Sequence, residues 1–342
     1  MHPCSETPTV KGPQDEGCLQ TLTSMFSFLY RIGNKKTVSA SLVFRLSQKS
    51  QEIVVKAIPL KKEEDLKDIK IACLLNGLTE ESPIFVRTFG WIKCKEIPPL
   101  WTKGLNLKKD APESFSKGKI DNYIFQVMSF SSHPWTDMQI SLDLEEYRVM
   151  LFLLLHGLLL AKNRFGFKHN DIHEGQVLFQ MCTPNTPIVV EVGKQRYTIV
   201  CQRFVPKLID FGLSTIFGEK EEDEDNSYSI SNSEEEDDFE RVNNGVFDDQ
   251  DIRDLLYMFE QRMEKDKVVP FVFQKGRTAT LESILLKDPV FESLRKNVAT
   301  INSHYFCDVC SSVAHMEWQN KGIRFCDDTC AYQWVEISKM LV

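Results

Sequence analysis

The stretch FKHNDIHEGQVL at residues 167–178 and the pentapeptide LIDFG at residues 208–212 determine how this sequence is interpreted. Each stretch places a carboxylate, Asp171 or Asp210, beside an apolar segment, where a turn joins a buried element. Upstream of both lies Asp143–Arg164, which is apolar on nearly all faces through its middle and so predicts a buried central helix. The two carboxylates are therefore expected in one helical lobe.

The helix and the segments that follow it show clear boundary signals. Asp143 is the predicted N-cap, and Glu146 stands three residues later in the capping-box position. Downstream, the patterns predict a hairpin at Ile188–Val200 that turns at Gly193, a helix at Asp248–Lys265 and another at Thr280–Asn297.

The chain before this lobe has alternating apolar residues and predicts a small β-rich lobe with one helix. The predicted elements, in order, are strands at Ser41–Leu46 and Glu52–Ile58, a helix at Lys61–Leu78, and strands at Ile84–Lys93 and Tyr123–Met128.

Four features occur in an order that matches the protein-kinase signature set. Lys56 lies near the end of an apolar strand, His169-Asn170-Asp171 follows the buried helix, Asp210-Phe211-Gly212 follows Leu208-Ile209, and Asp251 opens the next helix. Phosphoryl transfer needs a cation on the α/β-phosphates, a carboxylate near the substrate hydroxyl and another on Mg²⁺. Lys56, Asp171 and Asp210 match those needs in that order. Asp251 is expected to orient the catalytic loop by accepting backbone hydrogen bonds, and His169 to support it structurally.

The catalytic loop resembles that of haspin kinases, in which a His follows the HxD motif and a Gly precedes the metal-binding amide. The 39 residues from Asp171 to Asp210 fit an insertion such as haspin has, and no Ala-Pro-Glu follows the DFG position. Residues 246–253 also look like the start of the next helix in that family. The resemblance covers roughly residues 25–300, and the chain is similar as well to divergent Ser/Thr kinases of large DNA viruses. It implies an α+β, bilobal kinase fold, ATP with Mg²⁺ or Mn²⁺ as cofactors, and protein hydroxyls as substrate.

Three positions depart from the haspin pattern. Gln176 stands where the family has a metal-binding Asn, which keeps a carbonyl oxygen but adds a methylene. Gly33 is the single glycine in the nucleotide loop, where it would contact ATP. Ile71 stands where the Glu partner of the strand lysine is expected, so that Asp68 or Glu64 would have to substitute. These departures keep open a pseudokinase scaffold that binds protein partners through a C-terminal zinc module and an acidic loop, both described below.

The ten cysteines divide into two groups. Six are scattered, and we expect them to be free thiols: Cys4, Cys18, Cys73, Cys94, Cys182 and Cys201. The other four have the spacing C-x2-C, fifteen residues, C-x3-C, which predicts a structural zinc site closed by four thiolates and resembles FCS/MYM fingers. Its predicted ligands are Cys307, Cys310, Cys326 and Cys330. Such a module could also bind a protein partner.

The charge and hydropathy of the chain limit the remaining functions. Residues 219–240 carry a local charge of −11 while the whole chain carries −8, so the rest is mildly basic and the acidic segment is predicted to be a solvated insert. No basic patch interleaved with aromatic residues indicates nucleic-acid binding. The longest apolar run is too short to span a membrane and no secretory signal is evident, so we expect an intracellular protein. The predicted domains are an N-terminal arm (1–24), an N-lobe (25–130), a C-lobe (131–300, with an acidic insert at 219–245) and a zinc module (301–342).

Overall fold

The computed structural model describes most of the chain between residues 17 and 296. The described residues are 2, 4, 8, 17–32, 41–48, 51–103, 115, 120, 121–131, 133–134, 141–217, 249–273, 280–296, and the short strand residues 305–306, 313–314, 316–317 and 324–325. The acidic segment 219–245 lies outside them, as do the four cysteines at positions 307, 310, 326 and 330.

An antiparallel five-stranded sheet forms the N-terminal lobe, in the order β1-β2-β3-β5-β4. Its strands are β1 (Ser27–Ile32), β2 (Leu42–Gln48), β3 (Gln51–Leu60), β4 (Thr88–Cys94) and β5 (Asn122–Ser129). The strand predicted at 84–93 begins four residues later and ends at Cys94. Lys56 lies on the central strand β3, opposite Val43 on one side and Gln126 on the other. Its position in the sheet is thus fixed from both sides.

Two helices pack against this sheet. Helix α1 (Cys18–Met25) lies in the segment predicted as an arm, and its Leu22 is fully buried. Helix α2 (Lys67–Leu75) is flanked by 3₁₀ turns at Glu63–Leu66 and Asn76–Leu78, so the single helix predicted over 61–78 is divided into three parts. The 3₁₀ turns tighten the ends of the helix, as is common at helix termini.

The expectation of free thiols is wrong for four of the scattered cysteines. The structure joins Cys4 to Cys73 and Cys18 to Cys94 as disulfides, and both bonds fasten the N-terminal residues to the lobe. Among the described cysteines, Cys182 and Cys201 are free, and Cys201 is buried. The sequence spacing of 69 and 76 residues within the pairs offers no local signal for them.

The central helix α3 (Leu144–Phe165) forms as the sequence predicts. The Asp143 side chain accepts a hydrogen bond from Glu146 N (2.8 Å), and the Glu146 carboxylate accepts one from Asp143 N (3.1 Å), which completes the capping box. The helix ends at Gly166, whose φ of 60° is a conformation that glycine adopts at little cost. The middle of the helix is buried on all sides, as its uniformly apolar sequence requires.

The C-terminal lobe surrounds α3 with short strands and further helices. Strands β6 (His133–Pro134), β7 (Val177–Met181) and β10 (Phe204–Leu208) form one antiparallel sheet. Between β7 and β10 in the chain, β8 (Thr186–Val192) and β9 (Gln195–Cys201) form the predicted hairpin, with Gly193 in its turn at φ 60°.

The helices after the acidic segment are α4 (Gln250–Lys265), α5 (Leu281–Lys287) and α6 (Glu292–Arg295). The single helix predicted over 280–297 is wrong, because it breaks at Asp288-Pro289. Proline cannot continue a helix, and the Asp288 side chain caps a new 3₁₀ turn at Pro289–Phe291 by accepting from Val290 N. Four two-residue strands complete the elements: β11 (Tyr305–Phe306), β12 (Val313–Ala314), β13 (Met316–Glu317) and β14 (Arg324–Phe325). No helix in the described part of the chain is long and apolar enough to cross a membrane.

Candidate active site

The loop that carries Asp171 is hydrogen-bonded to the first turn of α4. The Asp251 carboxylate accepts hydrogen bonds from the backbone N–H groups of His169 (2.5 Å) and Asn170 (2.8 Å), which confirms the predicted orienting role. Burial raises the pKa of Asp251, while these two donors act to lower it. A carboxylate that anchors two backbone amides fixes the path of the loop just before Asp171.

Sequence analysis missed the part that Asn170 plays in the same loop. Its φ of 63° lies in the left-handed region, which asparagine tolerates better than most residues. Its side-chain Nδ2 donates to Leu213 O (3.1 Å) and to Thr215 Oγ1 (3.2 Å), and Lys168 exchanges two backbone hydrogen bonds with Thr215. The residue type was a signal for this conformation, but the partner segment could not be inferred from the sequence.

His169 is fully buried and supports the loop from within. One ring nitrogen, Nε2, lies 3.0 Å from Ile209 O, and the ring packs edge-on against Phe211 with centroids 5.7 Å apart. Burial lowers the pKa of His169, so the imidazole is neutral and acts as a packing group. The two signature loops thus contact each other through His169 and Phe211.

The pairing of β7 with β10 places the two signature loops side by side. Val177, the first residue of β7, lies opposite Leu208, the last residue of β10. Gln176 and Ile209 therefore meet at the same end of the sheet, where Ile209 N donates to Gln176 O at 3.0 Å. Gln176 and Ile209 are therefore neighbours, although the β8–β9 hairpin lies between them in the chain.

Lys56 reaches the same place from the N-terminal lobe. Its Nζ lies 2.8 Å from Asp210 Oδ1 and 2.5 Å from Asp68 Oδ2. Burial alone would lower the pKa of Lys56, but the two carboxylates more than offset this and raise it, so the ammonium stays charged. In turn, Lys56 lowers the pKa of Asp210 against the opposing effect of burial.

Sequence analysis left open whether Asp68 or Glu64 pairs with Lys56, and in the structure the partner is Asp68. Its Oδ2 binds Lys56, while its Oδ1 accepts a hydrogen bond from Phe211 N at 2.8 Å. The other candidate, Glu64, is exposed and lies 3.9 Å from Lys62 Nζ. Ile71 is buried in the apolar interior, so that helix position carries no charge. Asp68 therefore links the lysine to the backbone of the Asp-Phe-Gly segment.

Gln176 lies between the two signature carboxylates. Its Nε2 is 3.4 Å from Asp171 Oδ2 and 3.4 Å from Asp210 Oδ2, and the side chain is almost fully buried. Asp210 itself has a φ of 66°, which turns its carboxylate toward Lys56 and Gln176. The side chains of Asp171 and Asp210 are 38% and 34% exposed, and His173 Nε2 lies 3.8 Å from Asp171 Oδ2. The buried amide of Gln176 thus spans the gap between two partly exposed acids.

The remaining predicted site residues lie outside the described part of the chain. These are Gly33 of the nucleotide loop and the four predicted zinc ligands, Cys307, Cys310, Cys326 and Cys330. Within the described residues, no group of three or more His, Cys, Asp and Glu side chains is arranged to hold a metal ion by itself.

Comparison with known proteins agrees with this arrangement. The profile of a family described as "Haspin like kinase domain" matches residues 23–244, well over half of the chain. A curated relative, "Probable kinase 098L" of Invertebrate iridescent virus 3, is 26% identical over 196 residues, which cover 57% of this chain and 32% of the relative. The chain thus spans about a third of the length of that relative. With Lys56, Asp171 and Asp210 brought together as the sequence order implied, the family match shows that the chain belongs to the haspin-like kinase family.

Proposed function

We propose that this protein is an active, ATP-dependent Ser/Thr protein kinase that transfers the γ-phosphate to protein hydroxyls. The observation that carries the proposal is the contact of Lys56 Nζ with Asp210 Oδ1 at 2.8 Å, with Asp171 joined to the same cluster through Gln176. A haspin-like kinase domain implies ATP and Mg²⁺ as cofactors and proteins as substrates. The choice of Ser/Thr as acceptor rests on the sequence resemblance.

The donor atoms at the site fit Mg²⁺. Asp210 offers carboxylate oxygens, and Gln176 offers an amide whose oxygen and nitrogen exchange places by a simple side-chain flip. Mg²⁺ commonly takes one or two protein oxygens and completes its coordination with phosphate oxygens and water, so a larger acidic cluster is not required. When bound, Mg²⁺ would neutralise charge on the phosphates of ATP.

Each residue of the cluster would have its own role in phosphate transfer. Lys56 would bind the α/β-phosphates, and Asp68 would hold its ammonium in place. Asp171, the carboxylate of the His-Asn-Asp loop that does not contact Lys56, would accept the proton of the substrate hydroxyl as that oxygen attacks the γ-phosphate. Asp210 would hold the metal, with Gln176 as the second ligand in the place of the family's Asn.

The alternative function is a pseudokinase scaffold that binds partner proteins. Two departures favour it: the amide at Gln176 is longer than the family's Asn, and the nucleotide loop has Gly33 as its one glycine. The retention of Lys56, Asp171 and Asp210 in one cluster supports the active kinase.

The decisive experiment is radiolabelled transfer from ATP to a generic protein substrate with Mg²⁺ present. We expect wild-type protein to transfer phosphate, and Asp171→Ala and Asp210→Ala to lose transfer while they keep the wild-type circular dichroism spectrum. Glu64→Gln is the control, because Glu64 is an exposed acid of the turn before α2 and lies 3.9 Å from Lys62 Nζ, outside the site. Full activity in Asp171→Ala, or no transfer and no thermal stabilisation by Mg-ATP in wild type, would favour the scaffold.

A further inference from the structure

His2 pairs with the edge strand of the N-lobe sheet. His2 and Trp91 of β4 exchange two backbone hydrogen bonds, of 2.8 and 2.9 Å, and their rings stack with centroids 4.1 Å apart. Because β4 is an edge strand, this short antiparallel bridge occupies donors and acceptors that the sheet leaves open. The N-terminal residues are thus attached to the lobe at a defined place.

Two residues after this bridge, Cys4 is bonded to Cys73 in the last turn of α2. Asn76, just past the end of α2, donates from Nδ2 to Thr88 O of β4 (2.7 Å) and lies 3.4 Å from Cys4 Sγ. The disulfide therefore joins the edge of the sheet to α2, beside a hydrogen bond that spans the same gap.

Helix α2 carries Asp68 in its first turn, five positions before Cys73. Asp68 contacts both Lys56 on β3 and the backbone of Phe211, so its position depends on how α2 sits between the lobes. Helix α2 packs with the C-terminal lobe through Ile71 and Leu75 and with the N-lobe sheet through Ile69, and the disulfide adds a covalent bond from this helix to Cys4.

We propose that Cys4 and Cys73 form a redox modification site whose oxidation fixes α2, and with it Asp68, in the position that pairs with Lys56. The regulatory consequence, faster phosphate transfer in the oxidised protein, rests on the proposed function. The redox site itself does not.

The chemistry is thiol–disulfide exchange with a small disulfide such as glutathione disulfide. The thiolate of one cysteine attacks a sulfur of the oxidant, which releases one glutathione thiolate and leaves a mixed disulfide. The thiolate of the second cysteine then attacks the protein sulfur of the mixed disulfide and releases the second glutathione thiolate. The two protons of the protein thiols end on the two glutathione thiols, and the two electrons reduce the oxidant.

The chain offers a matched control in its other N-terminal disulfide. Cys18–Cys94 joins α1 to the end of β4 and does not touch α2. A Cys18→Ser variant therefore loses a crosslink of similar span while it keeps the bond between Cys4 and Cys73. Oxidation of Cys182 or Cys201 can occur in both Cys4→Ser and Cys18→Ser, so it would not produce a difference between the two variants.

The experiment uses full-length protein poised with either reduced glutathione or glutathione disulfide. Non-reducing peptide mapping should find the Cys4–Cys73 crosslink in oxidised wild type. Backbone hydrogen exchange across residues 67–75 should slow by about fivefold or more on oxidation in wild type and in Cys18→Ser. It should stay at the reduced rate in Cys4→Ser, and in Cys73→Ser as an independent check from the other end of the bond.

Three outcomes separate the parts of the proposal. A missing Cys4–Cys73 peptide, or equal exchange of α2 in the two redox states, overturns the redox site. Exchange that responds to oxidation while transfer rates stay equal overturns the regulatory role. Exchange that responds to oxidation, with no transfer in either state, supports the redox site and counts against the proposed kinase activity instead.

Discussion

Replacement of Asp68 by Asn tests the link between Lys56 and the Asp-Phe-Gly segment. Asparagine keeps an acceptor for Phe211 N but removes the charge 2.5 Å from the ammonium of Lys56. A hydrogen bond to a charged group contributes about 1.5–3 kcal/mol. If that energy orients Lys56 for transfer, and each ~1.4 kcal/mol changes a rate tenfold, the variant should transfer phosphate roughly 10- to 150-fold more slowly.

The cost to stability should be smaller than the cost to activity. Lys56 keeps Asp210 at 2.8 Å, so it is not left as an unpaired buried charge, which would cost about 3–5 kcal/mol. We expect a loss of about 1–2 kcal/mol in the free energy of unfolding. Since the pKa of Lys56 is raised in the folded protein, its ion pair stabilises fully below its ordinary pKa of 10.5 and is lost only as the pH rises beyond it. The difference from wild type should therefore be constant at neutral pH.

The assay is initial-rate transfer with ATP varied, alongside denaturant unfolding. Glu64→Gln is the matched control, because it removes an exposed acid of the neighbouring turn, and it should behave as wild type. Asp68→Glu restores the charge on a longer side chain and should recover part of the rate. Wild-type transfer by Asp68→Asn, or a deficit in Glu64→Gln as large, would refute the assignment of Asp68 as the partner of Lys56.

Three further predictions concern other parts of the chain. If Gln176 binds metal, Gln176→Asn should keep or raise the rate and Gln176→Ala should lower it. Equal rates for all variants in titrations with Mg²⁺ and Mn²⁺ would show the position to be idle. Burial lowers the pKa of His156 from 6.5 to about 4, so the folded protein should lose roughly 3 kcal/mol of stability as the pH falls across that window. Urea unfolding of His156→Gln should lack this loss, and a pH dependence identical to wild type would contradict it. Elemental analysis of reduced protein should find about one zinc per chain, and a content near zero would exclude a site made by Cys307, Cys310, Cys326 and Cys330.

The sequence predicted the elements whose signals are local. The capping box at Asp143 and Glu146 and the uniformly apolar helix between them and Gly166 were recognisable because each signal spans a few residues. The broken helix at Asp288-Pro289 was missed because apolar spacing continued across the proline, although a proline is itself a breaking signal.

The candidate site was predictable in its residues but not in its contacts. Lys56, Asp171 and Asp210 were chosen by their order along the chain. The choice of Asp68 over Glu64 depended on which face of a short helix points at β3, and that is set by tertiary packing. The disulfides were missed for the same reason, since the tertiary pairing of His2 with β4 places Cys4 beside Cys73, 69 residues later in the chain.

The apolar side chains of α2 belong to two different clusters, and this restricts how the two lobes can move relative to each other. Ile69 packs with Ile58 and Trp91 of the sheet, whereas Ile71 and Leu75 pack with α3 and the rest of the large interior. Helix α2 thus contacts both lobes, and only residues 61–66 separate it from β3 in the chain. A hinge motion between the lobes must change one of two sets of contacts. It separates either the ammonium of Lys56 from the carboxylate of Asp68 or the apolar side chains of α2 from one of the two clusters. A hinge motion that keeps α2 packed against α3 would therefore also separate Lys56 from Asp68, and with it the lysine from its aligned position.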